Sequence, residues 1–170
     1  MYLAKVDDFS ADNHQQIEGG LMLDLTQLKS IGILNELNEV MLKKMTDKAR
    51  LINVKAGTYL FREGDDAVNL YSVIEGKVVL EITQTAGTDF KIKDIVPTRS
   101  FGISSLVDTE VKHCVSHART LVDSKLLVWK AADLEKLFQT DHKLGYLISK
   151  KVSKVLKDRL QSTYVQAAAV

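Results

Sequence analysis

A chain of 170 residues, 45% hydrophobic, fits one domain with a core of its own. Lys plus Arg total 23 against 22 acids, a net charge of +1, so the charge balance calls for neither nucleic acid nor a membrane surface as partner. Cys114 is the only cysteine, which excludes an internal disulfide; Met1 to Ser10 has neither a basic leader nor an apolar run, and no apolar stretch is long enough to span a bilayer, so a cytoplasmic protein is expected.

Residues 1–22 carry little periodicity and read as an irregular arm ending at Gly19-Gly20. From Leu23 to Met45 the apolar residues Leu34, Leu37, Met41 and Met45 recur at helical steps, with Gly32 as a break point and Asn35 and Asn38 both open as N-caps. From Arg50 the period changes to two. Strands are expected at Leu51–Val54, at Tyr59–Phe61 (Leu60 on the opposite face) and at Leu70–Ile74. A half-exposed strand follows over Val78–Thr83, then one over Phe90–Val96, which Pro97 stops because it offers no N–H. Ser100–Val107 reads as one short helical turn. Strands resume at Cys114–Thr120 and Lys125–Trp129.

From Ala131 the helical period returns, and Asp141 is the expected N-cap of a helix from His142 to about Thr163. Its stripe is Leu144, Ile148, Val152, Val155, Leu156 and Leu160. The order predicts a mainly β fold: an antiparallel β-roll or jelly-roll barrel of about eight strands with N- and C-terminal helices, of the double-stranded β-helix type. The expected division is an arm over 1–22, a β-roll with flanking helices over 23–140, and a lid or dimerisation helix over 141–170.

Gly57, Phe61, Gly64, Asp65, Tyr71, Ile74 and Gly76, followed by Phe101-Gly102 leading into a short helix, carry a further reading. On these residues the stretch from about Leu28 to Arg159 resembles the cyclic nucleotide-binding domain, the sensory module of catabolite-activator-type regulators, kinase regulatory subunits and gated channels. The resemblance implies a phosphate-binding cassette reading Phe-Gly-Glu, a few small or apolar residues, then Arg and a small residue. In it a short helix offers free N–H groups to a phosphate, an arginine closes over that phosphate, and the glutamate accepts the ribose hydroxyl.

Here Gly102, Ser104 and Ser105 keep the small start, Ile103 stands at the glutamate position, and Lys112 stands at the arginine position with His113 after it. Losing the glutamate bond and the arginine fork removes charged hydrogen bonds worth about 1.5–3 kcal/mol each, so affinity falls by roughly 10²- to 10⁴-fold. The implied ligand is a cyclic nucleotide or another small anion, bound by Gly102, Ile103, Ser104, Ser105, Lys112 and His113. The implied partners are a second copy through the C-terminal helix and an output protein supplied in trans. With the sequence ending at Val170, no DNA-reading module is expected.

Each residue also has a plainer role. Ser104 and Ser105 suit the capping of a short helix equally well. A cupin-type metal site on His113 and His117 needs further ligands, and His14 and His142 lie in the arm and the last helix, so two surface histidines are expected and no metal. Cys114 suits a small buried position better than a nucleophile. Lys143, Lys150, Lys151, Lys154, Lys157 and Arg159 read as a solvated helix face. The expected function is a non-catalytic sensing module. The alternative is a degenerate scaffold that binds a protein and no small ligand.

Overall fold

The computed structural model describes residues 24–84, 87–107 and 110–168. The arm expected over 1–22 lies outside the described residues. Two short helices come first, α1 (Leu25–Ser30) and α2 (Glu39–Thr46). Asp24 and Gln27 form a reciprocal capping box at the start of α1. The Met41 N–H donates to Asn38 Oδ1 at 2.9 Å, which makes Asn38, and not Asn35, the N-cap of α2. Between the helices the Gly32 N–H donates to the Thr98 carbonyl at 2.9 Å, tying this segment to the loop that follows Pro97.

Among the described residues, eight strands follow: β1 (Ala49–Val54), β2 (Tyr59–Phe61), β3 (Asn69–Glu75), β4 (Val78–Thr83), β5 (Asp89–Ile95), β6 (Ser100–Phe101), β7 (His117–Thr120) and β8 (Ser124–Lys130). They form two four-stranded sheets, ordered β1-β8-β3-β6 and β2-β7-β4-β5, and every pairing is antiparallel. This is the mainly β jelly-roll expected. At the Gly76 turn φ is +94° and a Cβ would lie 2.2 Å from Ser124 Oγ.

The first sheet is covered on both faces. Alternation along β3 and β8 sends Tyr71, Val73, Leu126 and Val128 into the roll interior, with Val54, Leu60, Leu80 and Phe101. It sends Leu70, Leu127 and Trp129 the other way, into a second cluster built by Leu34, Leu42, Met45 and the last two helices. Trp129 is fully buried, and its indole N–H donates to the Met45 carbonyl at 2.9 Å.

Three strands differ from the period-two reading. β4 is buried from Val78 through Glu81, because it lies between β7 and β5 and the Glu81 carboxylate is engaged by Arg119. In β2 a register shift between Tyr59 and Phe61 breaks the alternation, so Leu60 and Phe61 both pack on the interior cluster. β7 starts only at His117, and His113 sits before it in an isolated bridge with Asp66.

The chain closes with α3 (Ala131–Thr140) and α4 (His142–Ala168). The Leu144 N–H donates to Asp141 Oδ1 at 3.0 Å, so Asp141 caps α4 as expected. Its Oδ2 meets Lys44 Nζ at 2.7 Å, which ties α2 to this joint. The two helices touch closely: a Cβ on Gly145 would lie 2.9 Å from that of Phe138. Leu144, Ile148 and Val152 are buried, and beyond them the stripe emerges, with Leu156, Leu160 and Tyr164 at 41%, 52% and 65% exposure. Among the described residues no helix is long and apolar enough to cross a membrane.

Candidate functional site

Among the described residues, the loop between β6 and β7 holds the one helical interruption of the roll. β6 pairs Tyr71 with Phe101 and Ser72 with Ser100, and the chain then turns through Gly102 at φ +74°. A Cβ there would lie 2.5 Å from the Asn69 carbonyl oxygen and 3.0 Å from a Tyr71 ring carbon, so both the conformation and the space demand glycine. A single 3-10 turn follows, Ile103–Leu106. Its first i→i+3 bond comes from Ser105 N–H to the Gly102 carbonyl at 3.1 Å, so the Ile103 and Ser104 amides precede the bonded ladder. Ser105 is fully buried, and its hydroxyl donates to that same carbonyl at 2.8 Å; this serine holds its own turn. Ser104 beside it is half-buried.

Ile103 does not face the roll interior. It is buried in the helical cluster with Trp129, Leu134, Leu144 and Ile148, as an aliphatic side chain should be. The interior beside the turn is filled by aromatic rings. Tyr71 stacks on Phe101 with centroids 4.9 Å apart, and Phe61 tilts against them at 6.0 and 6.1 Å. Asn69 donates to the Tyr71 hydroxyl at 3.2 Å, and burial holds that phenol above its ordinary range.

Lys112 and His113 lie on a separate segment, zipped to residues 64–67. Ala67 N–H donates to the Lys112 carbonyl, Cys114 N–H to that of Asp65 and Gly64 N–H to that of Cys114, each at 2.8 Å. The Lys112 ammonium meets Glu135 on α3 at 2.5 Å, and His113 Nδ1 stands 3.4 Å from Asp66. Of the residues selected from the sequence, Gly102, Ile103, Ser104 and Ser105 therefore build one turn, while Lys112 and His113 are engaged elsewhere. Burial pushes the Cys114 thiol up to about 11, which suits a packed thiol and not a nucleophile.

His117 departs from the surface position expected of it. It is only 8% exposed; its Nδ1 accepts from the Glu63 N–H at 3.1 Å, and its Nε2 shares a hydrogen bond with the Thr83 hydroxyl at 2.8 Å. The reason is its alternation with Ala118, which faces the interior and turns His117 under the β2–β3 loop. On β7, Arg119 grips Glu81 with two bonds, 3.1 and 2.7 Å.

The basic face of α4 also departs from expectation. Lys151 is ion-paired to Glu36. Arg159 is half-buried, and its Nη2 donates to the Ser100 carbonyl at 3.2 Å. Burial lowers its affinity for the proton. The missed signal was spacing: Arg159 follows Val152 and Val155 at seven and four residues, on the packed stripe. A groove of about 240 Å³ runs between the 3-10 turn and the last two helices, lined by Leu106, Val107, Phe138, Val152 and Leu156.

The sequence over residues 51–141 matches the family described as the cyclic nucleotide-binding domain. The chain belongs to the cyclic nucleotide-binding domain family. Its roll resembles a putative cyclic nucleotide-binding protein from Geobacter metallireducens, with TM-score 0.70, 24% identity, and coverage of 82% of this chain and 99% of that one. A cyclic nucleotide-binding domain from Methylobacillus flagellatus gives TM-score 0.74 at 14% identity, with 83% and 82% covered. Among curated relatives, mouse patatin-like phospholipase domain-containing protein 7 is 22% identical over 120 residues. That match covers 68% of this chain and 9% of the mouse protein. In this cyclic nucleotide-binding domain Ile103 of the turn is buried in the helical cluster, and Lys112 lies on a separate segment, paired with Glu135.

Proposed function

We propose that this domain is a non-catalytic sensor for a small anionic molecule, a cyclic nucleotide or another phosphate compound. The ligand sits against the amides of the Gly102–Ser105 turn, and α4 carries the signal. One observation supports the relay above others: Ile103 of the turn shares a buried cluster with Leu144, Ile148 and Val152 of α4. A ligand that displaces the turn must therefore repack α4 or bind against it. The exposed side chains of Leu156, Leu160 and Tyr164, at spacings of four, suit a second copy of α4 packed alongside. Signal output then passes to a protein acting in trans.

Calorimetric titration with cyclic AMP and cyclic GMP tests the reading. Saturable heat is expected, and its absence at millimolar ligand removes nucleotide sensing. The packed ring trio and the burial of Ile103 in the helical cluster favour a second reading, a scaffold for a protein partner with no small ligand. A melting temperature unmoved by a panel of nucleotides and anions would favour that scaffold.

A further inference from the structure

The side chain of Arg159 has more capacity than the protein uses. One of its N–H groups donates to the Ser100 carbonyl. Among the described residues no carboxylate pairs with it, whereas Arg119 has Glu81, Lys151 has Glu36 and Lys44 has Asp141. A half-buried guanidinium without a counter-ion is costly, and a chain that needed only a tie between helix and strand could use an uncharged amide donor there. Its position is specific as well. Ser100 opens the strand that runs into Phe101-Gly102 and the 3-10 turn, so α4 brings this cation to the root of the cassette. Its remaining donors form a planar fork matched to the paired oxygens of a phosphate.

We infer that Arg159 is an anion-binding residue: the phosphate of a small ligand docks where α4 crosses β6, held by the free fork of Arg159. This rests on the proposal that the domain senses a small anion, and it names α4, in place of Lys112, as the source of the charge. No existing ion pair has to break. Binding and relay are joined in one side chain, since an anion on Arg159 bears directly on the helix.

The test follows the backbone amide resonances of Ser100–Ser105 in the full ¹⁵N-labelled chain at constant ionic strength, together with the Arg159 side-chain Nε–H resonance where that arginine is retained. One titration uses inorganic phosphate and a second uses cyclic AMP, each repeated on Arg159→Gln, Arg159→Lys and Lys112→Gln. Gln keeps an N–H donor for the Ser100 carbonyl and removes the charge, so a purely structural role survives it. A saturable shift is expected with phosphate, with affinity reduced about 10- to 100-fold in Arg159→Gln, reduced less in Arg159→Lys and unchanged in Lys112→Gln. A phosphate response without any nucleotide response leaves the anion site standing and removes cyclic nucleotides as the ligand. Nucleotide binding that is equally tight in Arg159→Gln overturns the inference and leaves the sensor reading intact. No response to either probe overturns both.

Discussion

Gly102 is the residue on which the cassette turns. Its φ of +74° and the carbonyl of Asn69, 2.5 Å from where a Cβ would stand, each oppose any side chain. The left-handed conformation alone costs about 1–2 kcal/mol for an L-residue, and the collision adds to it. Gly102→Ala is expected to lower the stability measured by urea denaturation by at least that amount. A loss below about 0.5 kcal/mol, the scale of an ordinary surface change, would mean that the turn relaxes freely. Gly102 was legible in the sequence through the Phe101-Gly102 pair of the family resemblance, and its positive φ gives the physical reason for a glycine there. Arg159 was not legible as a half-buried residue, because an arginine in a lysine-rich helix looks solvated until the helix is docked. His117 was hidden for a related reason: the loop that covers it is distant in sequence.

At the scale of elements, α4 is two helices in energetic terms. Its first half is core: Ile148 is 1% exposed, and Ile148→Ala is expected to cost about 2–5 kcal/mol. Leu160 lies on the emergent half, and Leu160→Ala is expected within about 0.5 kcal/mol of the parent in dilute solution. Equal losses at the two sites would show that the outer half is also packed in the free protomer.

The α3–α4 joint adds a dependence on pH. Lys44 and the Leu144 N–H hold the Asp141 carboxyl below its ordinary range. Asp141 then binds a proton less readily in the folded chain than in the unfolded one. Its contribution is complete above the unfolded range and is lost as the pH falls through that range to the folded value. Asp141→Asn should therefore flatten the acid limb of a stability-versus-pH curve and lower its neutral plateau. An unchanged acid limb would remove the joint as a source of acid sensitivity. The cap was readable from Thr140-Asp141 before His142, but the tie to Lys44 spans 97 positions of chain and left no local pattern.

For the whole molecule, strand rhythm and glycine turns were enough to read the roll, since alternation and reversal are local. Two-sided burial was not. β8 runs Leu126-Leu127-Val128-Trp129, which reads as a strand without saying that both its faces are dry. That sandwich of roll, shared sheet and helices is what places the cassette turn against α4. The residues expected at the site were picked by counting, yet their side-chain directions depend on this layering: Ile103 follows the helical cluster and Lys112 follows α3.

Trp129 is the only tryptophan in the chain, and it lies in the cluster that α4 helps to close. The protein consequently contains its own optical gauge. Emission from this indole should be blue-shifted at rest, and it should move in colour or intensity whenever the closing helix is displaced. A stopped-flow trace of native fluorescence could thus time the motion without any added dye. A silent trace under saturating effector would mean that the helix stays where it is.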